Sequence, residues 1–219
     1  IKNLGSKCFI YHAFGSKLEH DTYGISISMR NFKTHIDYLR DNYEFIHVNS
    51  KLDNKFYISL TIDDGYSCTN DAIDLLNNYN IPVTLFVTSD NLDNNQYLSS
   101  DDLRNISKLS NVQIGSHGLS HQKLSKLSYD HQYTELSESK RVLNQIINKD
   151  ITGVSFPHGS FNSQTIEILS KLGYDFAATS KKGINCSNTN KYLLHRDEVI
   201  STDSINDLNK KIKGFYEYY

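Results

Sequence analysis

Two aspartates, Asp63 and Asp64, close an apolar run in "LTIDDGYS" (60–67), and two histidines, His117 and His121, stand four residues apart in "IGSHGLSH" (114–121). Adjacent carboxylates at the end of a strand that reads as buried repel one another and cost desolvation, and a bound cation would relieve both. Two neutral imidazoles with one carboxylate are donors that a borderline metal such as zinc prefers, and three protein ligands leave an open position for catalysis. The i, i+4 spacing would put both imidazoles on one face of a helical turn. Each piece also has a bland reading. An Asp-Gly pair can be a turn or can cap the next helix, and one such histidine pair among nine histidines arises by chance.

Residues this far apart act together only if the fold brings their loops together. β-branched and aromatic runs at 7–12, 44–48, 55–62, 81–88, 111–116, 151–156, 174–180 and 193–200 read as strands. They alternate with helical patterns at 28–42, 69–79, 100–109, 129–148, 162–173 and 204–213, with Ser28 and Asn162 as N-caps and Gly173 as a C-terminal stop. This rhythm predicts βαβ units around a parallel sheet, in one α/β, barrel-like domain over 1–219. Ligands in such folds bind at the carboxyl ends of the strands. Asp63, Asp64, His117, His121, His158, His195 and Arg196 all fall at or just after a predicted strand end.

Composition narrows the partners. With 23 basic against 25 acidic residues and no basic stripe interleaved with aromatics, nucleic acid is not expected. No apolar stretch reaches the roughly 20 residues of a membrane span. Cys8, Cys68 and Cys186 are widely spaced and read as free thiols. No signal peptide is visible, but the chain opens on Ile1 rather than Met, so the compartment, cytoplasm or cell envelope, stays open, as does the oligomeric state.

Taken in order, "FIYH" (9–12), "LTIDDGY", "IGSHGLSH", "SFPHGSFN" and "LHRDEV" resemble the bacterial polysaccharide deacetylases with a NodB-homology domain, carbohydrate esterase family 4. The resemblance implies a distorted, incomplete (β/α) barrel. It implies Asp63 as general base, and Asp64, His117 and His121 as ligands of one divalent metal, zinc first, with cobalt or nickel as alternatives. Pro157 and His158 would line the groove, with the backbone N–H of His158 binding the oxyanion, and Tyr66 and His12 would complete the substrate side. Two positions depart from the pattern. Many members carry an arginine two residues before the proline, where this chain has Ser155, and Arg196 in the late segment is expected to reach Asp63 instead. The acid that protonates the leaving amine is expected from His195, yet in a strand Arg196 and His195 would face opposite sides, which leaves His12 as the substitute.

The implied activity is removal of N-acetyl groups from an N-acetylated amino sugar, in the setting of surface polysaccharide biosynthesis. The alternatives are deformylation, or hydrolysis of another amide, on the same scaffold and a glycan-binding domain without turnover. There is no tryptophan, and no long aromatic platform for a polymer is evident, so a short or lipid-linked glycan is also an expected substrate.

Overall fold

A computed structural model describes residues 4–15 and 17–215; residues 1–3, 16 and 216–219 of the expected domain lie outside the described residues. The strands are β1 Gly5–Tyr11, β2 Ala13–Phe14, β3 Ser26–Ile27, β4 Glu44–Phe45, β5 Phe56–Ile62, β6 Val83–Val87, β7 Val112–Ser116, β8 Gly153–Ser155, β9 Phe176–Ala178 and β10 Asp197–Glu198. The helices are α1 Met29–Asn42, α2 Thr69–Asn78, α3 Ser100–Ile106, α4 Tyr129–Ile147, α5 Ser163–Lys171 and α6 Ile205–Ile212. One all-parallel sheet runs β10-β1-β5-β6-β7-β8-β9, with β4 paired to β5. It curls into an incomplete barrel, and the chain itself spans the gap between its edges: Leu194 bridges to Ala178 of β9, while Asp197 pairs with Phe9 of β1.

The strands are buried on both faces, as in a parallel sheet covered on both sides. Side chains alternate between two cores. Phe9 and Tyr11 of β1, Ile58, Leu60 and Ile62 of β5 and Leu85 of β6 pack outward with Ile36 and Leu39 of α1, Leu76 of α2 and Leu143 of α4. Their neighbours Cys8, Phe86, Phe176, Ala178 and Leu194 form a second cluster on the concave side. Two glycines make room there. A Cβ on Gly115 would lie 2.5 Å from the Phe86 ring, and one on Gly153 would lie 2.2 Å from the Phe176 ring.

The expected caps are made: Ser28 accepts from the Asn31 N–H, Asn162 from the Thr165 N–H, and Gly173 follows the end of α5 at φ 69°. Two expected strands are much shorter than their apolar patterns, because 46–48 and 193–196 leave the ladder as connecting chain. The β2–β3 pair, which holds residues 20–25 over the carboxyl ends of the strands, has too short an apolar pattern to be read from sequence.

Candidate active site

The carboxyl ends of the strands open into a cleft of about 960 Å3 lined by His12, Asp63, Asp64, Tyr66, His117, His121 and His158. Asp63 continues β5, its N–H donating to the Tyr11 carbonyl. Asp64 then turns the chain at φ 72° and Gly65 at φ 83°. Three of the seven non-glycine residues with positive φ among the described residues are Asp64, His121 and His158. Backbone held in this sparsely populated region concentrates at functional sites.

Asp63 is 3% exposed and is gripped on both oxygens. Arg196 Nη1 donates to Oδ1 at 2.7 Å and Nη2 to Oδ2 at 2.8 Å, while the Ser155 hydroxyl donates to Oδ2 at 3.0 Å. The guanidinium is fully buried and is itself aligned by the Thr179 carbonyl at 2.9 Å and Thr61 Oγ1 at 2.9 Å. Burial alone would raise the pKa of Asp63, but the Arg196 charge, with His117, outweighs it and holds the carboxyl below the usual range.

Asp64, His117 and His121 offer one ligand atom each, all within 4.8 Å of one another. The His117 Nε2 and His121 Nε2 atoms lie 3.4 and 3.3 Å from Asp64 Oδ1. That oxygen is buried and takes part in no well-formed hydrogen bond among the described residues. His117 Nδ1 lies 2.9 Å from the Ser155 carbonyl, so it is the protonated nitrogen and Nε2 keeps its lone pair for the cluster. Three electron-pair donors converging on one point, with an orphaned carboxylate oxygen, fit a divalent cation with zinc-like preferences.

The two histidines do not share a helical turn as their spacing suggests. Residues 117–121 form a loop after β7, with Gly118 at φ 77° and His121 at φ 61°. Glu135 of α4 shapes that loop, accepting from the Leu119 and Ser120 N–H groups at 3.0 Å each and from the Ser120 hydroxyl. His195 is the expected site residue that the fold does not bring in. Arg196 turns into the concave interior, and alternation turns His195 the other way, over Gly183, whose Cβ would meet its ring at 2.8 Å. His195 therefore does not line the cleft, whereas His12 does, with Nδ1 3.8 Å from Glu198 Oε1. Pro157 and His158 form a tight turn after β8, and the His158 ring lies 4.4 Å from that of His121. The Tyr66 hydroxyl lies 2.9 Å from His20 Nε2, and its ring stacks on Tyr97 at 5.0 Å.

Sequence reasoning missed Ser155 as a partner of Asp63 and Glu135 as the anchor of the histidine loop. Strand parity puts Ser155 on the concave face, which is a usable signal; Glu135 carries none, because mid-helix it reads as a surface charge.

Residues 50–177 match the family model for polysaccharide deacetylase. YxkH of Bacillus subtilis (strain 168), which carries the same family name, is 24% identical over 185 residues, 80% of this chain and 66% of that one, so the match spans just under two thirds of its length. The poly-beta-1,6-N-acetyl-D-glucosamine N-deacetylase of Staphylococcus aureus (strain MSSA476) is 25% identical over 95% of this chain and 78% of its own. The solved structure of the Streptococcus pyogenes deacetylase PplD in complex with acetate superimposes with a TM-score of 0.83 over 95% of this chain and 98% of that one, at 22% identity, and shares the curled, half-barrel sheet. With its family model covering more than half of its length and its fold matched end to end, the chain belongs to the polysaccharide deacetylase family, of the NodB-homology type.

Proposed function

We propose that this chain is a metal-dependent hydrolase that removes N-acetyl groups from an N-acetylated amino sugar within a glycan. The observation that carries the reading is the pairing, in one cleft, of an ionised carboxylate clamped by Arg196 with an Asp64, His117, His121 triad, the Nε2 of His117 lying 3.9 Å from Asp63 Oδ2. The family supports deacetylation, and the substrate named for the Staphylococcus aureus relative supports N-acetylglucosamine as the sugar. We assign the activity to residues 1–219 as one catalytic domain, acting in surface polysaccharide assembly.

Asp64, His117 and His121 would hold the cation, zinc by donor type with cobalt or nickel as substitutes, which when bound polarises the amide carbonyl and acidifies a water. Asp63 takes the proton of the attacking water, and Arg196 and Ser155 hold the carboxylate ionised and aimed. The N–H of His158, in the turn after Pro157, donates to the carbonyl oxygen as negative charge develops there. His12 gives a proton to the sugar nitrogen as the C–N bond breaks, so acetate and a free amine leave. Tyr66 walls the acetyl pocket. Chelated protein restored with zinc, cobalt or nickel should release acetate from N-acetylglucosamine oligomers. Release of formate from N-formyl analogues in preference to acetate would transfer the assignment to a deformylase, and absence of turnover with every metal would overturn it.

A further inference from the structure

The cleft has more ring-binding surface than one acetylated sugar at the triad would use. Its volume of about 960 Å3 lies at the upper end of small-molecule sites, roughly 300–1,000 Å3. Part of its lining is the segment between β2 and β3, fixed at several points. The buried Asp21 carboxylate accepts from the N–H groups of Tyr23, Gly24 and Ile25 on Oδ1 at 3.1, 2.6 and 3.0 Å, and from Ser26 on Oδ2 at 2.9 Å. His20 reaches the Tyr66 hydroxyl at 2.9 Å, and the Ser201 N–H donates to the Gly24 carbonyl at 2.7 Å.

What this pinned loop presents is Tyr23. Its side chain is 82% exposed, lines the same cleft as Asp63 and Asp64, and makes no ring, ion-pair or hydrogen-bond contact with any described residue. Among the described residues, the other large exposed hydrophobic ones, Leu4, Tyr133 and Phe215, do not line that cleft. A pyranose ring has a C–H face that stacks on an aromatic ring, with hydroxyls left at its rim for water. A ring mounted on a preordered loop binds such a face with little ordering cost.

We infer that Tyr23 forms a second sugar subsite, stacking the pyranose next along the chain from the residue whose N-acetyl group meets Asp63. The inference rests on the proposed activity toward N-acetylated glycans. Its test compares acetate release from N-acetylglucosamine and from its β-1,6-linked tetramer. Tyr23→Ala should raise KM for the tetramer about 3- to 10-fold, the worth of one aromatic stacking contact, and leave kcat/KM for the monomer unchanged. Tyr23→Phe, which keeps the ring, should match the wild type. Because the chain has no tryptophan, Tyr23→Trp in an Asp63→Asn background gives a single tryptophan, excited selectively over the tyrosines, whose spectrum should shift with tetramer and not with an equal concentration of monomer. Equal tetramer KM in wild type and Tyr23→Ala, with silent emission, overturns the subsite. If the wild type releases acetate from neither sugar, the proposed activity fails separately, and the emission titration still decides the subsite, a shift supporting it and silence overturning it.

Discussion

Replacing Arg196 by alanine should both destabilise this protein and stop its chemistry. The guanidinium donates to both oxygens of Asp63, to Ser155 Oγ, to Thr61 Oγ1 and to the Thr179 carbonyl, and it is fully buried. Truncation leaves Asp63, itself 3% exposed, as an uncompensated charge, and breaking a buried pair in this way costs about 3–5 kcal/mol. The carboxyl escapes part of that cost by taking up a proton, because burial, which already pushes its pKa upward, loses its largest opponent. A protonated Asp63 cannot accept the proton of water, so kcat should fall by about 10²–10⁴. The stability arm is a double-mutant cycle in urea with Asp63→Asn, Arg196→Ala and the double variant. Metal-free protein is used so that cation binding adds no stabilisation of its own. The double variant should lose about 2–3 kcal/mol less than the sum of the singles, near the top of the range for contacting residues. Arg196→Lys should recover only part of the loss, since one ammonium cannot bridge two carboxylate oxygens and the Thr179 carbonyl together. Additivity within about 0.5 kcal/mol would refute the claim that Arg196 acts through Asp63.

Three further outcomes follow from the geometry. His12→Ala should lower kcat by about 10²–10⁴ with metal affinity retained, whereas His195→Ala, on the far side of its segment, should stay within a few-fold of wild type; the reverse ranking in steady-state kinetics would restore His195 as the acid. Glu135→Ala, which removes both oxygens that accept from the Leu119 and Ser120 N–H groups and the Ser120 hydroxyl, should weaken zinc binding about 10- to 100-fold by calorimetry, and unchanged affinity would remove Glu135 from the support of His121. Asp21 is held at about 2, against an ordinary 3.8, because its backbone N–H partners outweigh the effect of burial. A depressed carboxyl stabilises fully above its unfolded value and loses that contribution as pH falls through its folded one. The Tm gap between wild type and Asp21→Asn should therefore be constant above about pH 4 and close toward pH 2, and a constant gap throughout would contradict the role given to Asp21.

What the sequence revealed of this site depended on whether strand periodicity reached the residue. Asp63, Asp64 and Ser155 lie on or just past strands and Arg196 just before β10, where period-two alternation of extended chain decides which side each faces. The same alternation warned that Arg196 and His195 could not both point inward, and the structure turns His195 toward Gly183. His117 and His121 were found by type and spacing but given the wrong local geometry. Their approach comes from a loop with left-handed residues at Gly118 and His121, held from a distant helix by Glu135. Nothing local encodes such an anchor, because a glutamate within α4 satisfies helical patterning whether it faces water or a loop. The short β2–β3 pair was hidden for a related reason: its partners are brought together by the Asp21 cluster rather than by an apolar run.

Ser155 explains why the arginine can come from the far end of the chain. Its hydroxyl donates to Asp63 and accepts from Arg196 Nη2, while its carbonyl fixes His117, so one small residue touches both the base and the cation triad. In many members of the family this position carries the arginine itself. With Arg196 entering across the barrel and its guanidinium 5.3 Å from the Phe86 ring, the place beside Asp63 is already taken by a fully buried cation, and a second guanidinium at 155 would repel it at close range. A side chain that is small, uncharged and able both to donate and to accept is what remains compatible, and serine meets those three conditions. The departure at 155 and the arginine at 196 are thus two halves of one physical solution: each residue makes sense of the other, and neither can be exchanged for the family pattern alone.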